Sequence, residues 1–383
     1  MDNSISADKR KNEYIELLRF VLCMVIFLHH SGHVTGGAVS LLPSGGLAAD
    51  AFFMLTGYYA IRHISSRMEK IRATDSAGGF GASEITGRPL LYSVKYTLRK
   101  LIRVFPYMAF GTVIVYILEC VTDLKLKGAI APVDIMYRSK DMLIELLFLP
   151  LTGLMGEISA LNYRNAPMWY LSAMLIALPV VMFLCIRLCK LFRYVIVWLI
   201  PIVLQILMLN LFGGVLPWQQ FAGPVNGGYI RGISSILMGG AIYYASQYLR
   251  RRCTDRERSG ISVLLTVAEI FLLIVFFICV AVGVSGPMEI ISLYIIGLVL
   301  TLTLSGITYT SGLRFKPATI LGRLSLPIYC IHWGIYRWVA AFFGYLDYRV
   351  AIALTFILCI ITAAVLMFII DRITLRKAAT TAE

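Results

Sequence analysis

The sequence predicts an all-α, polytopic integral membrane protein, with about ten transmembrane helices around a central cavity. Three observations carry that reading. Of the 383 residues, 59% are hydrophobic and 15% charged, where a soluble domain carries about 25% charged residues. Apolar runs of roughly 20 residues, the length that crosses a bilayer core, recur from end to end. The longest polar stretch, around residues 62–90, is too short to bury a core of its own.

The expected spans are residues 13–33, 47–64, 96–119, 167–187, 193–211, 229–249, 261–283, 288–308, 322–343 and 350–370. "MDNSISADKRKNE" is polar for too long to be a signal peptide, so the first span is expected to be retained. One further run, "MLIELLFLPLTGLMG" at 142–156, is short and broken by Pro150 and Gly153. Charge places it. The most basic loop, "RRRCTDRER" at 250–258, is expected in the cytoplasm by the positive-inside rule. Counting back from it puts the basic loop 65–100 and both termini inside, provided 142–156 does not cross. That segment is therefore expected outside or as a re-entrant piece. The chain reads as a single domain, 1–383, with short cytoplasmic tails at 1–12 and 371–383. The partner this implies is a lipid bilayer, as the multi-pass cell membrane of a bacterium. The net charge of +14 is assigned to topology and not to nucleic acid. Oligomeric state is not legible.

Of eight cysteines, most lie in apolar runs and none forms a CxxC pair. They read as small hydrophobes, with neither a disulfide nor a metal site expected.

Ionisable groups inside lipid are costly and mark function by default. "IELLRFVLCMVIFLHHSG" at 15–32 contains Arg19, His29 and His30. Arg19 and His30 are eleven residues apart, so on a helix they fall within about 20° of one another and roughly 16 Å apart along the axis. His29 is turned by about 100°. A helix lining a cavity explains the pair. So does snorkelling of Arg19 with the histidines capping the far end. Asp50 in "AADAFFMLTGYYA" is read as orienting His30, or as an interfacial acid. Arg99, Lys100 and Arg103 in "YTLRKLIRVFPYM" suit either a polyphosphate ligand or a topological anchor. Trp169 and Tyr170 in "APMWYLSAML" fit an aromatic belt, and Arg231 lies just inside a span end. "ATILGRLSLPIYCIHWGIYRW" places His332 near mid-membrane beside Tyr329, on a helix loosened by Pro327. Glu269 is intramembrane with no role assigned.

The order of these motifs resembles the membrane acyltransferase-3 family, in its stand-alone form, over nearly the whole chain. The arginine, ten residues and histidine of that family match Arg19 and His30. Its "D-x-F-F-x-L-S-G" is matched by "DAFFMLTG", with Thr56 at the serine. Its "R-R-x-x-R-x-x-P" is matched by Arg99, Lys100, Arg103 and Pro106. Its "W-x-L" is matched loosely by "WYLSA", and its "L-G-x-x-S-x-x-I-Y-x-x-H" by "LGRLSLPIYCIH". Lys100 keeps the charge but loses the bidentate fork of arginine.

The resemblance implies an O-acyltransferase moving an acyl group, acetyl first, from cytoplasmic acyl-CoA to a hydroxyl of an exported polysaccharide or related acceptor. It implies a catalytic group of His30, Arg19 and Asp50, and donor contacts from Arg99, Lys100 and Arg103. Acceptor contacts would come from His29, Arg231, His332, Trp169 and Tyr329. Acyl-CoA is a co-substrate, and neither a permanently bound cofactor nor a metal is implied. Two other readings stay open: a transporter or flippase of a lipid-linked sugar or acidic metabolite, and a membrane sensor module.

Overall fold

The computed structural model describes residues 12–35, 37, 40–76, 84–152, 164–223, 225–253 and 258–380. Residues 1–11 and 381–383 of the expected tails, 153–156 of the 142–156 segment and 254–257 of the basic loop lie outside the described residues.

Eleven helices carry the fold: α1 (Glu13–His29), α2 (Leu47–Ser76), α3 (Pro89–Lys127), α4 (Pro132–Leu146), α5 (Trp169–Arg187) and α6 (Val197–Phe212). They continue with α7 (Gly227–Arg252), α8 (Arg258–Val282), α9 (Pro287–Ser305), α10 (Pro317–Phe343) and α11 (Tyr348–Thr380). A two-residue-per-strand hairpin, Phe221–Ala222 with Val225–Asn226, leads into α7. There Asn226 caps the helix, its side chain accepting from the Gly228 N–H at 2.8 Å.

Ten of these helices cover the ten expected apolar segments, and seven are long and apolar enough to cross a membrane: α1, α3, α5, α6, α8, α9 and α11. Among the described residues, length and composition thus leave the expected count of ten unconfirmed. The reason is physical. Helices α2, α7 and α10 have 30, 26 and 27 residues, but they spend their turns on polar groups. Those groups include Asp50, Arg62 and His63 in α2, Arg231, Ser234 and Ser235 in α7, and Arg323, Ser325, His332 and Arg337 in α10. These helices form the middle of the bundle. Helix α7 packs on α2, α5, α6 and α9, and α10 packs on α1, α3 and α11.

The α2–α7 contact is close because glycines face each other. A Cβ on Gly57 would lie 2.1 Å from the Ile236 carbonyl oxygen, and one on Gly239 would lie 2.1 Å from that of Met54. Small residues at such crossings let backbones approach in a membrane bundle.

The expected 142–156 segment begins within a short helix. Its first residues end α4, a helix of 15 residues, too short to cross a bilayer core. A single 3-10 turn, Pro150–Thr152, follows. Arg138, Asp141 and Glu145 of α4 are buried while Val133, Met136 and Leu143 are exposed. Its polar face thus looks inward and its apolar face outward. At the other end of the chain, residues 371–380 continue α11.

Candidate active site

Helix α1 connects two cavities. Asn12 lies at one end, in a basic cavity of about 1050 Å³. His29 and His30 lie at the other, in a cavity of about 530 Å³. At 1.5 Å per residue the two ends are roughly 26 Å apart.

The basic cavity is lined by Arg19 of α1, Arg62 of α2, Lys100 and Arg103 of α3, and Arg250 of α7. Glu16 is the acid among its lining residues, and it accepts from Arg19 Nη1 at 2.9 Å. Arg19, Lys100 and Arg103 share the wall of one cavity. Such a group of cations costs free energy unless an anion offsets it. Arg99, expected beside them, is exposed and is not among the lining residues. Deeper in, the wall turns apolar and aromatic, with Ile26, Phe52, Thr56, Tyr170 and Tyr329.

Glu269 acquires a structural role here. It is fully buried and accepts from the hydroxyls of Thr303 and, at 2.6 Å, Thr310. Those bonds pin the α9–α10 connection, whose Gly306, Ser311 and Gly312 line the basic cavity.

The second cavity is lined by three histidines and three tryptophans: His29, His30, His33, Trp169, Trp218 and Trp333. Trp169 and Trp218 stack at 5.5 Å with planes 10° apart. The His30 ring meets Trp333 edge-on at 4.9 Å. Helix α1 ends at His29, and His30 begins a 3-10 turn, His30–His33. His29 Nδ1 lies 2.8 Å from the Leu42 carbonyl. Because that neighbour can only accept, Nδ1 carries the proton and Nε2 is the free base position. The 3-10 turn replaces the continuous α-helical face expected for Arg19 and His30: the two residues line different cavities.

What separates the cavities is a layer of rings. Tyr329 and Tyr170 close the basic side, and Pro167 and Trp169 close the other. The Tyr329 hydroxyl donates to the Pro167 carbonyl across the layer. The Tyr170 and Thr56 hydroxyls are hydrogen bonded at 3.2 Å. His332 is buried inside the layer. Its ring centroid lies 6.0 Å from that of Tyr329 and 5.2 Å from that of His30, with which it stacks. Its Nδ1 lies 2.9 Å from the Tyr329 carbonyl and 3.1 Å from that of Ile328. Both are acceptors, so Nδ1 is protonated. Nε2 has no hydrogen-bond partner among the described residues.

Asp50 does not orient His30. Both its oxygens are taken by α7. Arg231 Nε donates at 3.0 Å and Nη2 at 2.6 Å, and the Ser235 hydroxyl donates at 2.8 Å. Arg231 also donates to the Leu216 and Gly46 carbonyls, at 2.6 and 2.5 Å. Its guanidinium lies 4.9 Å from the centre of the Trp169 ring. The pair is a buried strut behind Trp169, one step removed from the histidines.

A family model described as an acyltransferase domain matches residues 12–372. The chain belongs to the acyltransferase-3 family. No curated protein and no solved structure matches it. It is a membrane acyltransferase, and the family match spans both cavities of the acyltransferase and the layer between them.

Of the residues read from the sequence, the structure gathers Arg19, Lys100, Arg103 and Tyr329 around the basic cavity, and His29, His30 and Trp169 around the other. His332 sits between them. Arg62, Arg250, Trp218, Trp333 and His33 were not read from it, and Tyr170 was read only as part of an aromatic belt. The two arginines looked like topological charge. His33 and Trp218 lie in connections between helices, where no periodicity marks a lining position.

Proposed function

We propose that the acyltransferase takes an acyl group, acetyl first, from cytoplasmic acyl-CoA in the basic cavity. It passes the group to a hydroxyl of a glycan in the histidine cavity. The basic end then faces the cytoplasm, in keeping with the positive-inside rule. The observation that carries the reading is the pairing of the two cavities across one ring layer. The first has cations at its mouth and an uncharged floor, the order of charge along a CoA thioester. The second has tryptophan faces, on which the C–H faces of a sugar stack, beside a base.

Arg19, Lys100 and Arg103 hold the donor's phosphates. The pantetheine arm runs inward along α1, bringing the thioester to Thr56, Tyr170 and Tyr329. The Tyr329–Pro167 bond parts to admit the acyl carbon to the layer. His30 takes the proton of the acceptor hydroxyl as its oxygen attacks the carbonyl carbon. The carbon–sulfur bond breaks, and the thiolate takes up one proton. His332, through Nε2, stands within the ring chain to support His30 or relay its proton.

The test is purified protein in lipid nanodiscs with isotope-labelled acetyl-CoA and a soluble oligosaccharide. Free CoA and acetylated sugar in equal amounts are expected. Movement of an intact ligand with the thioester never cleaved would replace this reading with a transporter.

A further inference from the structure

Five cations line the basic cavity, and the proposed contacts with the donor's diphosphate use three of them. The other two, Arg62 and Arg250, come from α2 and α7. They belong to packed neighbours: the Tyr58 ring of α2 and the Tyr243 ring of α7 lie 5.8 Å apart, Arg62 follows Tyr58 by one turn, and Arg250 follows Tyr243 by two. Tyr59 lies one turn from Arg62 on α2. The cations therefore come from two sets of helices: Arg19, Lys100 and Arg103 from α1 and α3, and Arg62 and Arg250 from α2 and α7. Tyr59 is 39% exposed and lines the cavity.

Arg250 is held in place before any ligand arrives. Nε donates to the Ser305 carbonyl at 2.9 Å and Nη2 to the Leu304 carbonyl at 3.2 Å, at the C-terminus of α9. Gly306 makes room for it. Its φ is 74°, and a Cβ there would lie 3.4 Å from Nη2. A guanidinium fixed by backbone carbonyls loses little freedom when an anion docks.

We infer that Arg62 and Arg250 form a second anion subsite, for the 3′-phosphate monoester of the CoA donor. Its diphosphate occupies the Arg19, Lys100 and Arg103 group, and Tyr59 packs on the adenine between them. The inference rests on the donor being a CoA thioester. A thioester on the phosphopantetheine arm of a carrier protein has no 3′-phosphate and leaves this subsite empty. The subsite thus makes the enzyme select the free coenzyme.

The experiment compares binding of acetyl-CoA and acetyl-dephospho-CoA to the nanodisc-embedded protein, for wild type, Arg62→Gln and Arg250→Gln. Wild type is expected to favour acetyl-CoA by about tenfold or more, the worth of a charge-assisted hydrogen bond. Either substitution should bring that ratio toward one, chiefly by weakening acetyl-CoA. A change in fold alone would weaken both ligands and leave the ratio intact. Equal binding of the two ligands by wild type, or a ratio unmoved in both variants, overturns the subsite while the CoA reading stands. If wild type binds neither ligand, the CoA reading fails and the subsite with it.

Discussion

The hydroxyl of Tyr329 donates to the carbonyl of Pro167, and that bond spans the layer between the two cavities. Its partners come from different parts of the chain, 162 residues apart. Tyr329→Phe keeps the ring and removes the bond. With acyl transfer requiring the layer to part only around acceptor, the variant should leak. CoA release without acceptor should rise several-fold and transfer per CoA released should fall. Unchanged release and unchanged coupling would mean that the bond does not hold the layer shut.

Asp50 and Arg231 make a second decisive pair. Asp50 is fully buried and the Arg231 side chain is 3% exposed. Removing one partner from a buried ion pair costs about 3–5 kcal/mol, because the survivor is left charged and unpaired. Asp50→Ala should therefore lower the melting temperature in detergent sharply and strip activity along with the fold. Arg231→Ala should do likewise. If Asp50→Ala melts like wild type and only activity is lost, the carboxylate acts in the chemistry and not as the strut behind Trp169.

That pair marks how far the sequence could be read. The apolar runs located ten long helices, seven of them by the length and hydropathy that membrane burial demands and α2, α7 and α10 by shorter apolar stretches between polar groups. Arg19, His30 and His332 stood out for the opposite reason, as polar groups where lipid penalises them. What Asp50 binds was not legible, since its partner is 181 residues away and an acid near a span end fits several partners. Arg250 was hidden among Arg251 and Arg252, where a topological charge and a cavity lining have the same letter. Helix α4 was seen only through the apolar run that starts at its last turn, because its polar residues face inward and its apolar ones outward, the reverse of the soluble rule.

His30 and His332 are separable by substitution. His30 is half-buried at the cavity wall, and its replacement leaves no described hydrogen-bond partner bereft. His30→Ala should fold normally, judged by melting temperature, and lose transfer by about 10²- to 10⁴-fold, the usual worth of a positioned base. His332→Ala should lose transfer and also stability, because the buried ring packs on His30 and Tyr329. Full activity of His30→Ala would remove it as the base and pass the role to His29 or His332.

Glu145 of α4 lies outside the membrane-spanning helices and gives a prediction for pH. It is wholly buried and accepts from the Asn165 N–H at 2.9 Å, which anchors the segment leading to Pro167 and Trp169. Burial pushes its carboxyl up to about 8; the Asn165 bond opposes the shift, and the nearby Glu119 and Asp141 add to it. The folded state therefore keeps a proton that the unfolded chain, with an ordinary glutamate near 4.3, gives up. In that window the native state binds more protons, so stability falls as pH rises from about 4.5 to 8 and levels off above. Glu145→Gln retains a carbonyl for the Asn165 bond and cannot ionise. Its melting temperature should match wild type near pH 5 and exceed it at pH 8, flattening the slope between. Parallel pH profiles for the two proteins would mean that Glu145 is ionised in the native state at neutral pH, and that the anchor of the Asn165 segment is a charged one.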